Sequence, residues 1–329
     1  MNDEGPQTLI EAVRFFSDPQ ICHEYMIRLK WPDGRIVCPK CGGDKIGKIA
    51  SRQLLRCNSK VNDKRCGKQF SAKVGTIFED SPLPLSKWFV AVWMIADCKN
   101  GISSLELHRA LGVTQRTAWF MLHRIRVAMR TKTFRKLDGE VESDETFIGG
   151  RAANMHRERR ERVIRGRGAV GKTIVHGLLE RGNVEDDKPS QVRASVVPNT
   201  EAATLVPEVV RNVEHGAAVY TDACASYGPL DARFAREFID HATTYVRGRV
   251  HINGLENFWS LLKRTLRGTY VSVAPFHLFR YLDEQTYRFN ARKKNDGQRF
   301  NQVMTGVIGQ RLTFRVLCAI DDAGFMGIE

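Results

Sequence analysis

The sequence has no long apolar run. Its longest, WFVAVWMIA at 88–96, is under half of the roughly 20 residues that a bilayer span needs, so a buried helix is expected there. The opening stretch, MNDEGPQTLIEAV, lacks a basic segment followed by an apolar one, which excludes a secretory leader on this reading. A cytoplasmic, nucleoid-associated protein without a membrane partner is therefore expected. Internal repeats and low-complexity tracts are also missing. Acidic charge is in deficit: 37 Asp and Glu face 51 Lys and Arg, a net charge of +14 over 329 residues. Such an excess points to an anionic partner, with nucleic acid first; a basic protein with no such partner is the plain alternative.

Four of the eight cysteines fall in two pairs between residues 38 and 66. Without an export signal, clustered cysteine suggests metal rather than disulfides. Cys38 and Cys41 form a C-x2-C knuckle followed by two glycines, a turn that aims two thiolates at one centre. Cys57 and Cys66 supply the other two ligands that one structural Zn2+ requires. Their spacing is wide, and the polar insert NSKVNDKR reads as a surface bulge between ligands. His23 is a rival ligand, weakened by its place in an amphipathic run.

Regional patterns divide the chain. Residues 1–35 read as a helical lead-in ending at the turn signal WPDG, and 36–75 as a zinc ribbon of short strands. Residues 82–132 show helical periodicity, and 136–295 mix strand-like and helix-like segments, an α/β domain. The C-terminal segment, 296–329, is expected to pack against that domain. Within 102–127, Ser103 or Ser104 caps a first helix, Gly112 turns the chain, and Val113-Thr114 opens a second helix to about Arg126. This is helix-turn-helix spacing. Gln115, Arg116 and Arg124 are expected to be exposed and to reach bases or phosphates, although an ordinary helical hairpin with a basic face has the same pattern.

Three acidic segments carry the chemistry. Asp144 lies in the alternating EVESDETFI, which reads as a strand. Asp222 ends the apolar run AAVYTD, where a strand's C-terminal end would present it. Glu256 lies in HINGLENFWSLLKR, where Leu255, Phe258, Trp259 and Leu262 follow helical spacing. Lys263 sits two turns after Glu256 on the same helix face, placed to hold a backbone phosphate, and Arg264 follows it. Acids converging from separate elements would repel one another, and divalent metal relieves that repulsion. Hard oxygen ligands suit Mg2+ or Mn2+, and two such ions can serve a phosphodiester. Any one of these acids alone would read as a solvated carboxylate; their order and spacing raise the claim.

The segments LKWPDGRIVCPKCG, KQFSAKVGTIFEDSPLPLSKW, SDETFIGG, YTDACASY, HINGLENFWSLLKRTLRGTY and HLFRYLDEQTYRFNAR together resemble a bacterial insertion-sequence transposase of the DDE class. More narrowly, the chain is similar to the family that joins an N-terminal zinc ribbon to an RNase H-like catalytic domain. The resemblance carries the first and second aspartates onto Asp144 and Asp222 and the third acid onto Glu256, with Asn253 as a rival third ligand. It implies DNA cleavage and strand transfer at terminal inverted repeats, double-stranded DNA as partner, and a homodimer or higher oligomer to join two element ends. An RNase H-like nuclease without strand transfer and an inactive DNA-binding regulator are the alternative functions. The sequence GRGAVGKT at 166–173 matches a phosphate-binding P-loop pattern, but the expected strand after it argues against one. The Arg-rich stretch 151–172 reads as a loop that touches DNA or sits in solvent.

Overall fold

A computed structural model describes residues 5–130, 135–150, 158, 171–183, 187–239 and 250–319. The chain forms two compact units, one of residues 1–130 with 294–329 and one of 131–293.

The first unit opens with α1 (Leu9–Phe15), started by a capping box between Thr8 and Glu11, and α2 (Pro19–Lys30), capped by Asp18. A three-stranded antiparallel sheet follows, built from β1 (Ile46–Ile49), β2 (Leu54–Cys57) and the short β5 (Gln69–Phe70) in that order. Between β2 and β5 the chain makes a small hairpin, β3 (Lys60–Val61) and β4 (Lys64–Arg65). Its two turn residues, Asn62 and Asp63, both take positive φ, 49° and 58°, the geometry that tight hairpins demand. The apolar run becomes α3 (Leu85–Asp97), which buries Trp88, Phe89, Val92, Trp93 and Ile95. Among the described residues no helix is long and apolar enough to cross a membrane.

α4 (Ser104–Leu111) starts at a Ser103–Glu106 capping box and ends at Gly112, whose φ of 59° suits glycine. α5 (Gln115–Met129) is capped by Thr114. The segment after residue 295 corrects the expectation that it packs on the α/β domain. α9 (Asp296–Gly306) lies in the first unit against α3 and α5. Its Phe300 joins an aromatic cluster, 5.2 Å from Trp93 and 5.4 Å from Phe16, and Gly306 abuts the Ala128 carbonyl. The cause is a set of aromatic surfaces, Phe16 after α1, Tyr25 on α2 and Phe89 and Trp93 on α3, against which Phe300 packs. A short helix, α10 (Phe314–Leu317), follows.

The second unit is a mixed α/β layer structure. Its strands are β6 (Glu140–Ile148), β7 (Thr173–Glu180), β8 (Gln191–Val197), β9 (Ala218–Asp222) and β10 (Ala235–Ile239). They are ordered β10-β9-β6-β7-β8. β7 runs antiparallel to both neighbours, whereas β6, β9 and β10 are mutually parallel. One face of the sheet packs α6 (Ala202–Asn212) and a 3-10 stretch, Ala225–Ala232, around Val141, Leu178, Leu205, Val219 and Tyr227. The other face packs α7 (Asn253–Thr265) and α8 (Leu278–Asn290) around Val175, Leu179, Leu255, Phe258 and Trp259. Gly177 lets α7 approach: a Cβ there would fall 2.5 Å from the Trp259 ring. The P-loop reading fails here, because Thr173 begins β7 rather than a helix. Most of the Arg-rich stretch 151–172 lies outside the described residues.

Candidate functional site

The four paired cysteines converge. Their sulfurs all lie within 4.8 Å of one another, with Cys38 to Cys66 at 3.9 Å and Cys41 to Cys57 at 3.6 Å. A tetrahedral zinc with Zn–S bonds of about 2.3 Å requires sulfur–sulfur edges of ~3.8 Å, so the cage fits one structural Zn2+. Burial opposes ionisation of Cys38 and the N–H groups of Lys40 and Cys41 favour it; the close thiols hold their protons jointly, so Cys38 is lowered while Cys41 is raised. The wide spacing before Cys66 is the β3–β4 hairpin, which loops out and returns to the cage. His23 is not among the converging donors; it is buried on α2, and desolvation holds its pKa below the usual histidine value.

The acidic residues stand on the sheet of the second unit. Glu142 on β6 pairs with Tyr220 on the parallel β9. Asp144 and Asp222 each lie two residues further on, so alternation puts both on the same face as Glu142 and Tyr220. That face is the one covered by α7: the Trp259 indole N–H donates to Asp144 Oδ2 at 2.9 Å. Asn253 begins α7, and Glu256, exposed, lies in its first turn. Burial raises the Asp144 pKa to about 6; the Trp259 and Glu145 N–H groups oppose the shift, and the charges of Asp222 and Glu256 add to it. Both acids thus act electrostatically on Asp144. The trio is looser than the cysteine cage, which among the described residues is the only group of such donors within 4.8 Å of one another.

Lys263 lies in the same field. Burial and the nearby Arg267 and Lys172 lower its pKa, while Asp144 opposes the shift. With Ser260, Arg264, Arg267 and Gly268 it lines an open, basic groove.

On the opposite face of β6 is a polar network that the residue pattern alone did not announce. Ser143 donates to the Tyr227 hydroxyl at 3.1 Å and lies 3.0 Å from His176 Nε2; Tyr227 donates to Glu145. Burial pushes His176 down to about 4, so it is neutral at pH 7. Burial also lifts Glu145 to about 7; Tyr227 opposes that rise, and Asp144 and Asp222 add to it. The alternation of VESDETFI puts Ser143 and Glu145 on the second face of the strand but gives no sign that His176 and Tyr227 meet them there. Trp259, legible only as a core position, turns out to anchor Asp144.

In the first unit, Gln115 and Arg116 are exposed at the start of α5, and Gln115 donates to Ser104 at 3.0 Å. Arg124 corrects its reading as an exposed DNA contact. It is 5% exposed, and its guanidinium donates to the carbonyls of Leu312, Ile77 and Glu79 at 2.8–3.0 Å. Helical spacing alone cannot distinguish an outward arginine from one that collects buried carbonyls of other segments.

Known proteins resemble both parts of the chain. Residues 136–290 match the ISXO2-like transposase domain, and residues 17–69 match the transposase zinc-ribbon domain. A protein described as an uncharacterized protein in transposable element ISH50, from Halobacterium salinarum, is 27% identical over 263 residues, covering 77% of this chain and 85% of that one. An uncharacterized transposase-like protein from Haemophilus influenzae is 38% identical over 101 residues, 30% of this chain and 81% of its own length. The chain belongs to the ISXO2-like transposases, with a transposase zinc ribbon ahead of the transposase domain.

Proposed function

We propose that the chain is the transposase of an insertion sequence, which binds terminal inverted repeats and carries out metal-dependent DNA cleavage and strand transfer. One observation carries the reading: Asp144 and Asp222 occupy the same face of adjacent strands, and the charges of Asp222 and Glu256 help to raise the Asp144 pKa. Carboxylates whose charges disfavour ionisation of the half-buried Asp144 are a donor set that a divalent cation relieves. A mixed sheet with helices on both faces is in keeping with an RNase H-like catalytic domain.

Asp144, Asp222 and Glu256 would hold two Mg2+ or Mn2+ ions. Bound there, such a pair supplies an activated attacking oxygen and a stabilised leaving oxygen at a phosphodiester. The indole of Trp259 holds one oxygen of Asp144 and so fixes the direction of the other. Lys263 and Arg264 on the basic groove hold backbone phosphates of the bound strand. Water opens a phosphodiester at the element's end, and the freed 3′-hydroxyl attacks target DNA. One phosphodiester is exchanged for another, with no covalent protein–DNA intermediate. Glu256 is preferred to Asn253 as third ligand because Lys263 follows it two turns later on the same face of α7.

End recognition falls to the zinc ribbon and to α4 and α5 as a helix-turn-helix, with Gln115 and Arg116 offered to DNA from the start of α5. Joining two ends calls for a dimer or higher oligomer acting at the nucleoid in the cytoplasm. Replacing Asn253 and Glu256 separately tests the third position: only loss of the true ligand should abolish cleavage while DNA binding persists. Cleaved ends with no joined product would favour the nuclease reading instead.

A further inference from the structure

α7 has no side chain of its own capping its first turn: Ile252 stands at the cap position. The N–H groups there need an acceptor. One is supplied from the middle of the sheet. Glu142 Oε2 accepts from the Leu255 N–H at 2.9 Å, and the carboxylate is 1% exposed. Its other oxygen takes the Arg181 Nε–H at 2.8 Å. Arg181 also donates to Glu140 at 3.1 Å, stacks 4.4 Å over the Tyr220 ring, and donates to the His251 carbonyl just before α7. The carboxylate therefore sits where a helix N-terminus favours negative charge, its second oxygen satisfied by a guanidinium.

Two further facts fix the geometry. Gly254 lets the start of α7 close on Glu142: a Cβ there would fall 2.8 Å from Glu142 Oε2 and 2.9 Å from a Leu179 methyl. Second, α7 is tied to β6 at two rungs, Glu142 to Leu255 and Asp144 to Trp259. The rungs are two residues apart on the strand and four apart on the helix. These steps correspond to ~6.7 Å and ~6 Å, so helix and strand stay in step.

We infer that Glu142, held by Arg181, is a positioning residue that sets Glu256 opposite Asp144 by anchoring the peptide next to Glu256. This rests on the metal-site reading above. Glu142 touches neither substrate nor metal; it acts through Glu256.

The test uses the full, zinc-loaded chain and measures Mn2+ binding by electron paramagnetic resonance, alongside end cleavage and a thermal melt. At a temperature where the variant stays folded, Glu142→Ala should weaken Mn2+ binding by ~10-fold or more and lower cleavage, with affinity for DNA ends unchanged. In a Glu256→Ala background the same change should shift Mn2+ binding by less than about twofold, because the residue acted through is already gone. Should Glu142→Ala not fold, Gly254→Ala pushes the carboxylate off the helix and should give the same shift. Mn2+ binding unaltered in the single variant, or a full additive loss in the double one, overturns the inference. Asp222→Ala separates the two claims. If it abolishes Mn2+ binding while Glu142→Ala does not, positioning alone fails; if it too leaves binding intact, the metal site itself fails.

Discussion

Arg124 joins three backbone carbonyls from segments that are remote in sequence, those of Ile77, Glu79 and Leu312. Arg124→Ala leaves them without that donor in a buried setting and should cost roughly 3 kcal/mol or more in urea denaturation. Weakened DNA binding with unchanged stability would instead restore the surface role expected from the sequence. Asp97, the last residue of α3, presents a different case. Burial first, and then the charge of Asp296, raise its pKa to about 7 even though Arg299 lies 3.6 Å away. Because the folded value lies above the unfolded value of about 4, the protonated group favours folding at low pH. That contribution is complete below about pH 4 and is lost as pH rises through about 7. The stability difference between wild type and Asp97→Asn should therefore change across that window, whereas a constant difference would show that Asp97 does not titrate there.

Among the elements, β6 and α7 matter most, and their alignment depends on a close approach. Gly177 on β7 faces the Trp259 ring, so Gly177→Ala would push α7 outward and disturb the indole's bond to Asp144. Overpacking of this kind costs about 1–3 kcal/mol, and cleavage should fall more than end binding does. Equal losses in both would indicate general unfolding. At this scale the sequence was informative where local signals act: Ser103, one of two expected caps, and Gly112 bound α4, and the apolar stripe of α7 marks its buried face. It was silent where the partner is distant. Glu142 looks like any acid on an alternating strand, and its role depends on a helix that begins 111 residues later, at Asn253. The hairpin within the zinc ribbon was half legible: a polar insert was evident, but not that Asn62 and Asp63 would turn it back in two residues.

The whole molecule joins a helix-rich unit carrying a zinc-ribbon domain to a mixed α/β unit, and the first of these takes back the C-terminal segment after residue 293. That return was not legible, since it depends on Phe300 meeting aromatics of α1, α2 and α3. The net charge of +14 suits a protein that must hold DNA, but charge alone would suit many functions. What makes the proposal specific is that Asp144 and Asp222 share one face of adjacent strands, with Glu256 in the first turn of the helix that covers it, in a chain of the ISXO2-like transposase family. The most direct test is strand transfer on DNA carrying the element's ends, with Mg2+, comparing wild type with Asp222→Ala. The account predicts joined product from the wild type and none from the variant, although the variant still binds the ends. Full joining activity in Asp222→Ala would contradict it.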